Sequence, residues 1–226
     1  MIKAAIFDMY ETLITHYETP LYFSAQMAAD AGISTDIFRT IWGQSNADRT
    51  TGKMSLEDAL EIILKETNCY TEQLVNKIVE KRIATAEDCY RHLHPEIIPM
   101  LTELKKHGIK IGLISNCFSE EAVVIRNSIL APYFDALYLS YEQGVKKPDE
   151  EIFIRCINEL GVRAEECLFI GDGGSQELEA SSALGMHALQ AVWYLKEGTL
   201  QSSKPRTDFT NLKTPLEVLD YVNISK

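Results

Sequence analysis

Hydrophobic positions near the start of the chain form one short apolar run, and a helical spacing follows it. The run Ala4–Phe7 ends at Asp8. It is far too short for a secretory signal or a membrane span, so it predicts a buried strand that opens the fold. From Leu13 to about residue 92, apolar residues recur at three- and four-residue intervals, which indicates amphipathic helices. The expected helices cover 21–31 before Gly32, Thr35–Gln44, a segment capped by Ser55 and a segment after Thr71.

From Pro95 onward, short apolar runs alternate with helically spaced segments. Strands are expected at 109–114, 134–139, 167–170 and 187–192. Helices are expected before Gly108, after Ser119, between Asp149 and Gly161, before Gly185 and after Thr214-Pro215. This alternation predicts an α/β fold with a Rossmann-like, doubly wound parallel sheet. The polar, irregular stretch 199–213 predicts a surface loop.

The helical block interrupts the alternating pattern directly after its first strand. The simplest architecture is a discontinuous Rossmann-like core of residues 1–14 and 93–226. Residues 15–92 are then inserted into this core as an α-helical cap domain.

Composition and charge narrow the function classes. Hydrophobic residues make up 46% of the 226 residues and charged residues 24%, which is typical of a globular protein. The net charge of −11 argues against a nucleic-acid surface, and no segment predicts a membrane contact. The 5 cysteines include no CxxC pair, which indicates reduced thiols and a cytoplasmic location. Nothing in the sequence indicates an oligomeric state.

Reactive side chains follow the predicted strands. Asp8 comes directly after the first strand, Ser115-Asn116 after the second, and Asp172 after the strand at 167–170, while Lys147 precedes a helix. The carboxyl ends of parallel strands meet at one edge of a sheet, so these residues are expected to converge. Each also has an ordinary structural interpretation, as a cap, a turn or a solvated lysine. Together they supply a carboxylate nucleophile, a hydroxyl, a cation and a second carboxylate.

The glycines around Asp172 invite comparison with a dinucleotide-binding fingerprint. In Gly171-Asp172-Gly173-Gly174 the spacing from Gly171 would require a glycine at position 176, which is Gln176. The glycines instead predict a tight turn that lets Asp172 approach a ligand.

The order and spacing of these motifs resemble those of the haloacid dehalogenase superfamily of hydrolases, over essentially the whole chain. The helical insert resembles the cap that this family calls type C1. The resemblance implies that Asp8 is the nucleophile, and that Ser115 and Asn116 hold the transferred group. It also implies that Lys147 neutralises charge on the nucleophile and on a small phosphorylated substrate.

A metal site is the second implication of this resemblance. The expected ligands of Mg2+ are Asp8, the carbonyl oxygen of Tyr10, and Asp172, with Glu177 as a second acid that supports a metal-bound water. Three carboxylates repel one another, and Lys147 alone does not balance them. Mg2+ suits such an all-oxygen set.

Tyr10 departs from the phosphatase pattern, because phosphatases of this superfamily carry an aspartate there as general acid and base. Tyrosine at this position resembles the 2-haloacid dehalogenase branch, which attacks carbon and uses no metal. Glu11 fits neither branch, since both have glycine there. Asp172 and Glu177 favour the metal-dependent phosphatase, because those dehalogenases lack them.

Three hypotheses therefore follow. The leading one is Mg2+-dependent hydrolysis of a small phosphomonoester through an aspartyl-phosphate, with Tyr10 retained as a weaker proton donor. The alternatives are metal-independent 2-haloacid dehalogenation and a weakly active or non-catalytic protein that binds a phosphorylated ligand. Candidate substrate contacts in the cap are His16, Arg39, Trp42, Arg49 and Lys53, although a position on the surface or in the cap core is the favoured interpretation of each.

Overall fold

The computed structural model describes residues 1–196 and 203–222. Its strands are β1 (Ala4–Phe7), β2 (Lys110–Ser115), β3 (Ala136–Leu139), β4 (Cys167–Gly171), β5 (His187–Ala191) and β6 (Thr210–Leu212). Its helices are α1 (Ser24–Ala31), α2 (Thr35–Gln44), α3 (Asn46–Thr50), α4 (Leu56–Glu66), α5 (Glu72–Asp88), α6 (Ile97–Lys106), α7 (Ser119–Asn127), α8 (Ser140–Gln143), α9 (Glu150–Leu160) and α10 (Glu177–Ala183).

The strands form one parallel sheet in the order β3-β2-β1-β4-β5-β6. The chain winds outward from β1 in both directions, so the predicted doubly wound α/β core is confirmed. Strand β1 is central and fully buried, and its residues alternate between two hydrophobic clusters. Ala5 and Phe7 pack with α6 and α7, whereas Ala4 and Ile6 pack with α9. Burial on both faces explains the continuous apolar run of β1.

The helices after β1 have a hydrophobic core of their own. Residues of α1, α2, α4 and the first half of α5 share one cluster, in which Phe38, Leu60 and Ile78 are fully buried. The end of α5 packs instead with the sheet, through Ala86. The predicted Ser55 cap is present, and Thr71 caps the helix that follows it in the same way, since each side chain accepts from the backbone N–H of the third helical residue. The domain boundaries at residues 14/15 and 92/93 stay predictions.

One expectation for the C-terminal region was wrong in part. The surface loop predicted at 199–213 lies partly outside the described residues, and its last part forms the edge strand β6. The helix expected after Thr214-Pro215 is present, as a 3-10 helix (Pro215–Tyr221) that begins with the proline. None of the helices in the described ranges combines the length and apolar character that a membrane span requires.

Candidate active site

The predicted site residues converge at the carboxyl edge of the sheet. Asp8 directly follows β1, and its backbone N–H bonds to the carbonyl of Ile170 in β4 at 2.9 Å. Ser115 is the last residue of β2, and Asp172 directly follows β4. The strand order places β1 between β2 and β4, so these three residues come from adjacent strands.

Lys147 joins two of the carboxylates. Its Nζ donates to Asp8 Oδ1 and to Glu177 Oε2, and all three residues are buried. Burial alone would lower the pKa of Lys147, but the negative charges of Asp8 and Glu177 outweigh it and raise that pKa. Lys147 is therefore an ammonium at neutral pH, and it contacts the proposed nucleophile.

Asn116 connects the turn after β2 to the lysine loop. Its Oδ1 accepts from the backbone N–H of Lys147 at 2.8 Å, and its Nδ2 donates to the Lys147 carbonyl at 3.0 Å. The same Nδ2 lies 3.2 Å from Ser175 Oγ. The Oγ of the neighbouring Ser115 is buried and has no hydrogen-bond partner among the described residues. A buried hydroxyl without a partner is costly, which indicates that a ligand atom completes this site.

The carboxylates of Asp8, Asp172 and Glu177 form a cluster in which one oxygen of each lies within 4.8 Å of the others. Burial raises the pKa of Asp8 against the opposing charge of Lys147. Burial and then the Asp8 charge raise the pKa of Glu177 well above its usual range. Three buried carboxylates beside one ammonium leave an excess of negative charge, and a divalent hard cation with oxygen ligands fits this set. The predicted role of the Tyr10 carbonyl as a ligand stays a prediction.

Glycine at position 171 makes room for Glu177. A Cβ at Gly171 would lie 2.1 Å from Glu177 Oε1, so a larger residue would displace that carboxylate. Asp172 is held on three sides: Gly174 N–H donates to Oδ1 at 2.8 Å, Ser203 Oγ donates to Oδ2 at 2.5 Å, and Gln190 Nε2 donates to its carbonyl at 2.8 Å. The cluster is therefore fixed in position by its surroundings.

Sequence reasoning missed several of these supports. Gln190 comes from β5 and Ser203 from the segment between β5 and β6, and no local motif includes them. Ser175 lies three residues after Asp172, but its contact with Asn116 joins positions 59 apart in the chain. A fully buried glutamine in the apolar run of β5 was the one usable signal, since a buried amide needs partners.

Tyr10 lies beside this centre, and its neighbour Glu11 has φ of 60°. That left-handed conformation favours glycine, but the Glu11 carboxylate offsets its cost by accepting from Thr15 Oγ1 at 2.5 Å and from His16 N–H at 3.1 Å. The His16 ring then stacks on Tyr10 at 4.5 Å. Burial, followed by the charge of Glu121, raises the pKa of Tyr10 well above its ordinary value. The phenol is thus a neutral hydrogen-bond donor at physiological pH.

A cavity of about 320 Å³ adjoins the site, because Tyr10 and Asn116 are among its lining residues. His16, Phe23 and Trp42 contribute to its wall on the cap side. Two larger cavities, of about 480 and 460 Å³, are lined by none of the predicted site residues. We therefore take the smaller cavity as the candidate substrate space.

The five candidate contacts in the cap divide according to this cavity. His16 and Trp42 line it. Arg39 is exposed and bonds to a serine of α1, and Lys53 is exposed beside Asp48. Arg49 is 1% exposed and is not among the lining residues.

The chain belongs to the haloacid dehalogenase-like hydrolases, whose family model matches residues 2–185. Among curated relatives, a glyceraldehyde 3-phosphate phosphatase from Methanopyrus kandleri is 26% identical over 98% of this chain and 97% of its own length. The chain is therefore a haloacid dehalogenase-like hydrolase, and its curated relatives include phosphatases.

Solved structures show the same fold with two chemistries. A HAD phosphatase from Thermococcus onnurineus superposes with a TM-score of 0.69 at 20% identity, over 98% of both chains. A 2-haloacid dehalogenase from Pseudomonas syringae superposes equally well, with a TM-score of 0.69 at 19% identity over 97% of both chains. The fold alone therefore does not distinguish a phosphatase from a dehalogenase, and the side chains of the site must do so.

Proposed function

We propose that this protein is a Mg2+-dependent hydrolase of small phosphomonoesters that works through an aspartyl-phosphate on Asp8. The observation that carries the proposal is the buried cluster of Asp8, Asp172 and Glu177 around the single ammonium of Lys147. A carboxylate that attacks a phosphate dianion needs positive charge nearby, because the two anions repel each other.

The chemistry proceeds in two steps that this chain's residues support. An Asp8 oxygen attacks phosphorus, the bond from phosphorus to the ester oxygen breaks, and the leaving oxygen takes the electron pair and one proton from solvent. Water then attacks the same phosphorus and gives one proton back to solvent, the bond from phosphorus to the Asp8 oxygen breaks, and inorganic phosphate and the Asp8 carboxylate result. The Ser115 hydroxyl, the Asn116 turn and the Lys147 ammonium hold the transferring group.

Asp8, Asp172 and Glu177, with the Tyr10 carbonyl, would hold the metal ion. When bound, Mg2+ supplies positive charge that offsets repulsion between the nucleophile and the phosphate. The fixed hydrogen bonds to Asp172 and the space left by Gly171 hold two of these carboxylates in place for that purpose.

Tyr10 limits the rate in this proposal. Loss of a positioned acid and base typically costs about 10²–10⁴-fold. The raised pKa of Tyr10 allows it to donate a hydrogen bond to the leaving oxygen, but it does not accept a proton from water. We therefore expect slow turnover and a preference for esters with good leaving groups.

Tyr10 is also the one observation that favours the second candidate, metal-independent 2-haloacid dehalogenation. Asp172 and Glu177 weigh against it, because a metal on Asp8 would blunt a carboxylate that has to displace halide from carbon. The third candidate is a protein that binds metal and phosphate without turnover.

The test is phosphate release from a panel of small esters that includes p-nitrophenyl phosphate and glyceraldehyde 3-phosphate, with Mg2+ and with EDTA. We include the triose because a full-length relative is named for it. We expect metal-dependent turnover that Asp8→Asn abolishes, while Asp36→Asn, at an exposed aspartate of α2, serves as the matched control. Full turnover by Asp8→Asn would overturn the proposal, and halide release from a 2-haloacid in EDTA would replace it with dehalogenation.

A further inference from the structure

Aromatic rings form half of the wall of the candidate substrate cavity. Five of its ten lining residues carry a ring: Tyr10, His16, Phe23, Trp42 and Phe118. Pockets for small molecules are commonly apolar with a few polar groups, but a wall with this share of rings selects among apolar ligands.

Tyr10, His16 and Phe23 are held by contacts with one another. His16 stacks on Tyr10 at a centroid distance of 4.5 Å and an interplanar angle of 14°. The edge of Phe23 meets His16 at 5.3 Å. Glu11 fixes the His16 backbone, because its Oε1 accepts from the His16 N–H at 3.1 Å. This part of the wall is therefore preorganised.

Trp42 of α2 and Phe118, which directly precedes α7, are held by Arg49. Its guanidinium carbon lies 3.5 Å from the Trp42 ring centroid and 4.3 Å from that of Phe118. Ser45 Oγ and the Trp42 carbonyl accept from the same guanidinium at 3.0 and 3.2 Å. Arg49 thus joins Trp42 to Phe118, which follows Asn116 by two residues, through a cation–π contact with each ring.

The formal charges on the cavity wall pair with one another. Arg82 and Glu121 line the cavity, and Arg82 Nη2 donates to Glu121 Oε1 at 2.9 Å. Arg82 also donates to Glu120, and the second Glu121 oxygen accepts from Phe118 N–H at 3.0 Å. A carboxylate or ammonium on the leaving group would have to compete with these bonds for a partner.

We propose, on the basis of the proposed phosphatase function, that the substrate's leaving group is an uncharged aromatic ring that this cavity receives between the Tyr10–His16 and Trp42–Phe118 pairs. A volume of about 320 Å³ lies at the small end of ligand pockets and suits a single ring. The phosphate end reaches Asn116 and the neighbouring Ser115, while the ring contacts aromatic walls. Ring-to-ring contacts add specificity beyond simple burial.

The test uses esters whose leaving alcohols have similar acidity, so that ring recognition is separated from leaving-group reactivity. Benzyl, cyclohexylmethyl and propyl phosphate are compared by kcat/KM, with acetyl phosphate as a ring-free substrate that reports the phosphatase chemistry itself. Binding of the same three esters to the Asp8→Asn protein, measured by calorimetry, gives a second readout that needs no turnover. We expect the kcat/KM of benzyl phosphate to be about tenfold higher than that of propyl phosphate and about threefold higher than that of cyclohexylmethyl phosphate.

Two variants localise the effect. Trp42→Leu and Phe23→Leu should each reduce the preference for benzyl over propyl phosphate to about twofold. Ile37→Ala, at a 51% exposed position of the same helix as Trp42, should keep the wild-type preference.

Equal kcat/KM values for the three esters, alongside turnover of acetyl phosphate, would overturn the inference and leave the phosphatase proposal standing. A higher value for a carboxylate-bearing ester such as phosphoglycolate would overturn it in the same way. If Asp8-dependent turnover of acetyl phosphate is also absent, both proposals fail.

Discussion

Arg82 is the residue whose replacement tests the packing of the helical insert on the core most sharply. It lies in α5, is 5% exposed and contacts Glu120 and Glu121, which are 5% and 6% exposed in the first turn of α7. Its Nε and Nη2 donate to Glu120 at 3.1 and 2.8 Å, Nη2 donates to Glu121 at 2.9 Å, and Nη1 donates to the Tyr22 carbonyl at 3.0 Å. Arg82→Met would keep the apolar stem and remove the charge.

The expected loss in free energy of unfolding follows from the two carboxylates that remain buried after the substitution. Two buried carboxylates would lose their common cation, and removal of one partner from a buried ion pair costs about 3–5 kcal/mol. For a chain of this size, such a loss lowers Tm by about 10 °C. Because Arg82 also lines the candidate substrate cavity, kcat/KM should fall as well if that cavity receives the substrate.

The assay is urea and thermal unfolding of Arg82→Met beside two comparison proteins. The triple variant Arg82→Met/Glu120→Gln/Glu121→Gln should recover at least half of the loss, because it removes the stranded charges. Arg91→Met is the control, since Arg91 is 73% exposed in its pair with Asp88 and should cost less than about 0.5 kcal/mol. A loss below about 1 kcal/mol in Arg82→Met, or no recovery in the triple variant, would refute the reasoning.

Three further predictions concern the carboxylate cluster and the cap. Asp172→Asn should weaken the apparent affinity for Mg2+ by at least about tenfold, as measured from the rise in Tm with increasing Mg2+ concentration. An unchanged Mg2+ titration would contradict the proposed metal site. Gly171→Ala should lower the free energy of unfolding by about 1–3 kcal/mol, since its Cβ would lie 2.1 Å from Glu177 Oε1. A Cβ at Gly43 in α2 meets nothing within 4 Å, so Gly43→Ala is the control and should not destabilise the protein. Equal unfolding midpoints for the two variants would contradict this prediction. Hydrogen bonds from a lysine, a tyrosine and a second lysine lower the pKa of Asp30, so its stabilisation is present above about pH 4 and is lost as the pH falls further. Asp30→Asn should therefore lower Tm by about 5 °C at pH 7 and by progressively less below pH 4, and a Tm difference that does not change with pH would count against it.

The fold was largely predictable because its strands are buried on both faces. Continuous apolar runs that stop at a polar residue mark β1, β2 and β4, and this pattern does not depend on distant contacts. β6 escaped prediction because only Leu212 of its three residues is buried, and an edge strand of that length leaves almost no pattern. The 3-10 helix after Thr214 begins where the Pro215 signal places a helix, but its local geometry is not encoded in that signal.

The candidate site was predictable to the extent that it consists of strand ends. Asp8, Ser115 and Asp172 follow adjacent strands, so their convergence is a consequence of topology. The residues that hold the site together were not predictable, because Ser203 and Gln190 reach Asp172 across 31 and 18 positions of the chain. Their contacts depend on how loops cross the sheet edge, and no short motif specifies that path.

His16 and Trp42 were candidate contacts from the sequence, but the arrangement of the aromatic cavity was not predictable, for a related reason. Trp42 and Phe118 are brought together through Arg49, and neither residue has a signature that predicts the other. The stacking of His16 on Tyr10 depends on the left-handed conformation of Glu11. The sequence showed that Glu11 stands at a position where the family has glycine. The effect of this residue on the neighbouring rings became visible only in the structure.

Rapid-quench mass spectrometry of the peptide that contains Asp8 tests the central claim most directly. The protein is mixed with p-nitrophenyl phosphate and Mg2+, quenched in acid within a single turnover, and digested. The account predicts a peptide heavier by one phosphoryl group (HPO3) at Asp8, which is absent in EDTA and in Asp8→Asn. Phosphate release without that adduct, or an adduct on another residue, would contradict the account.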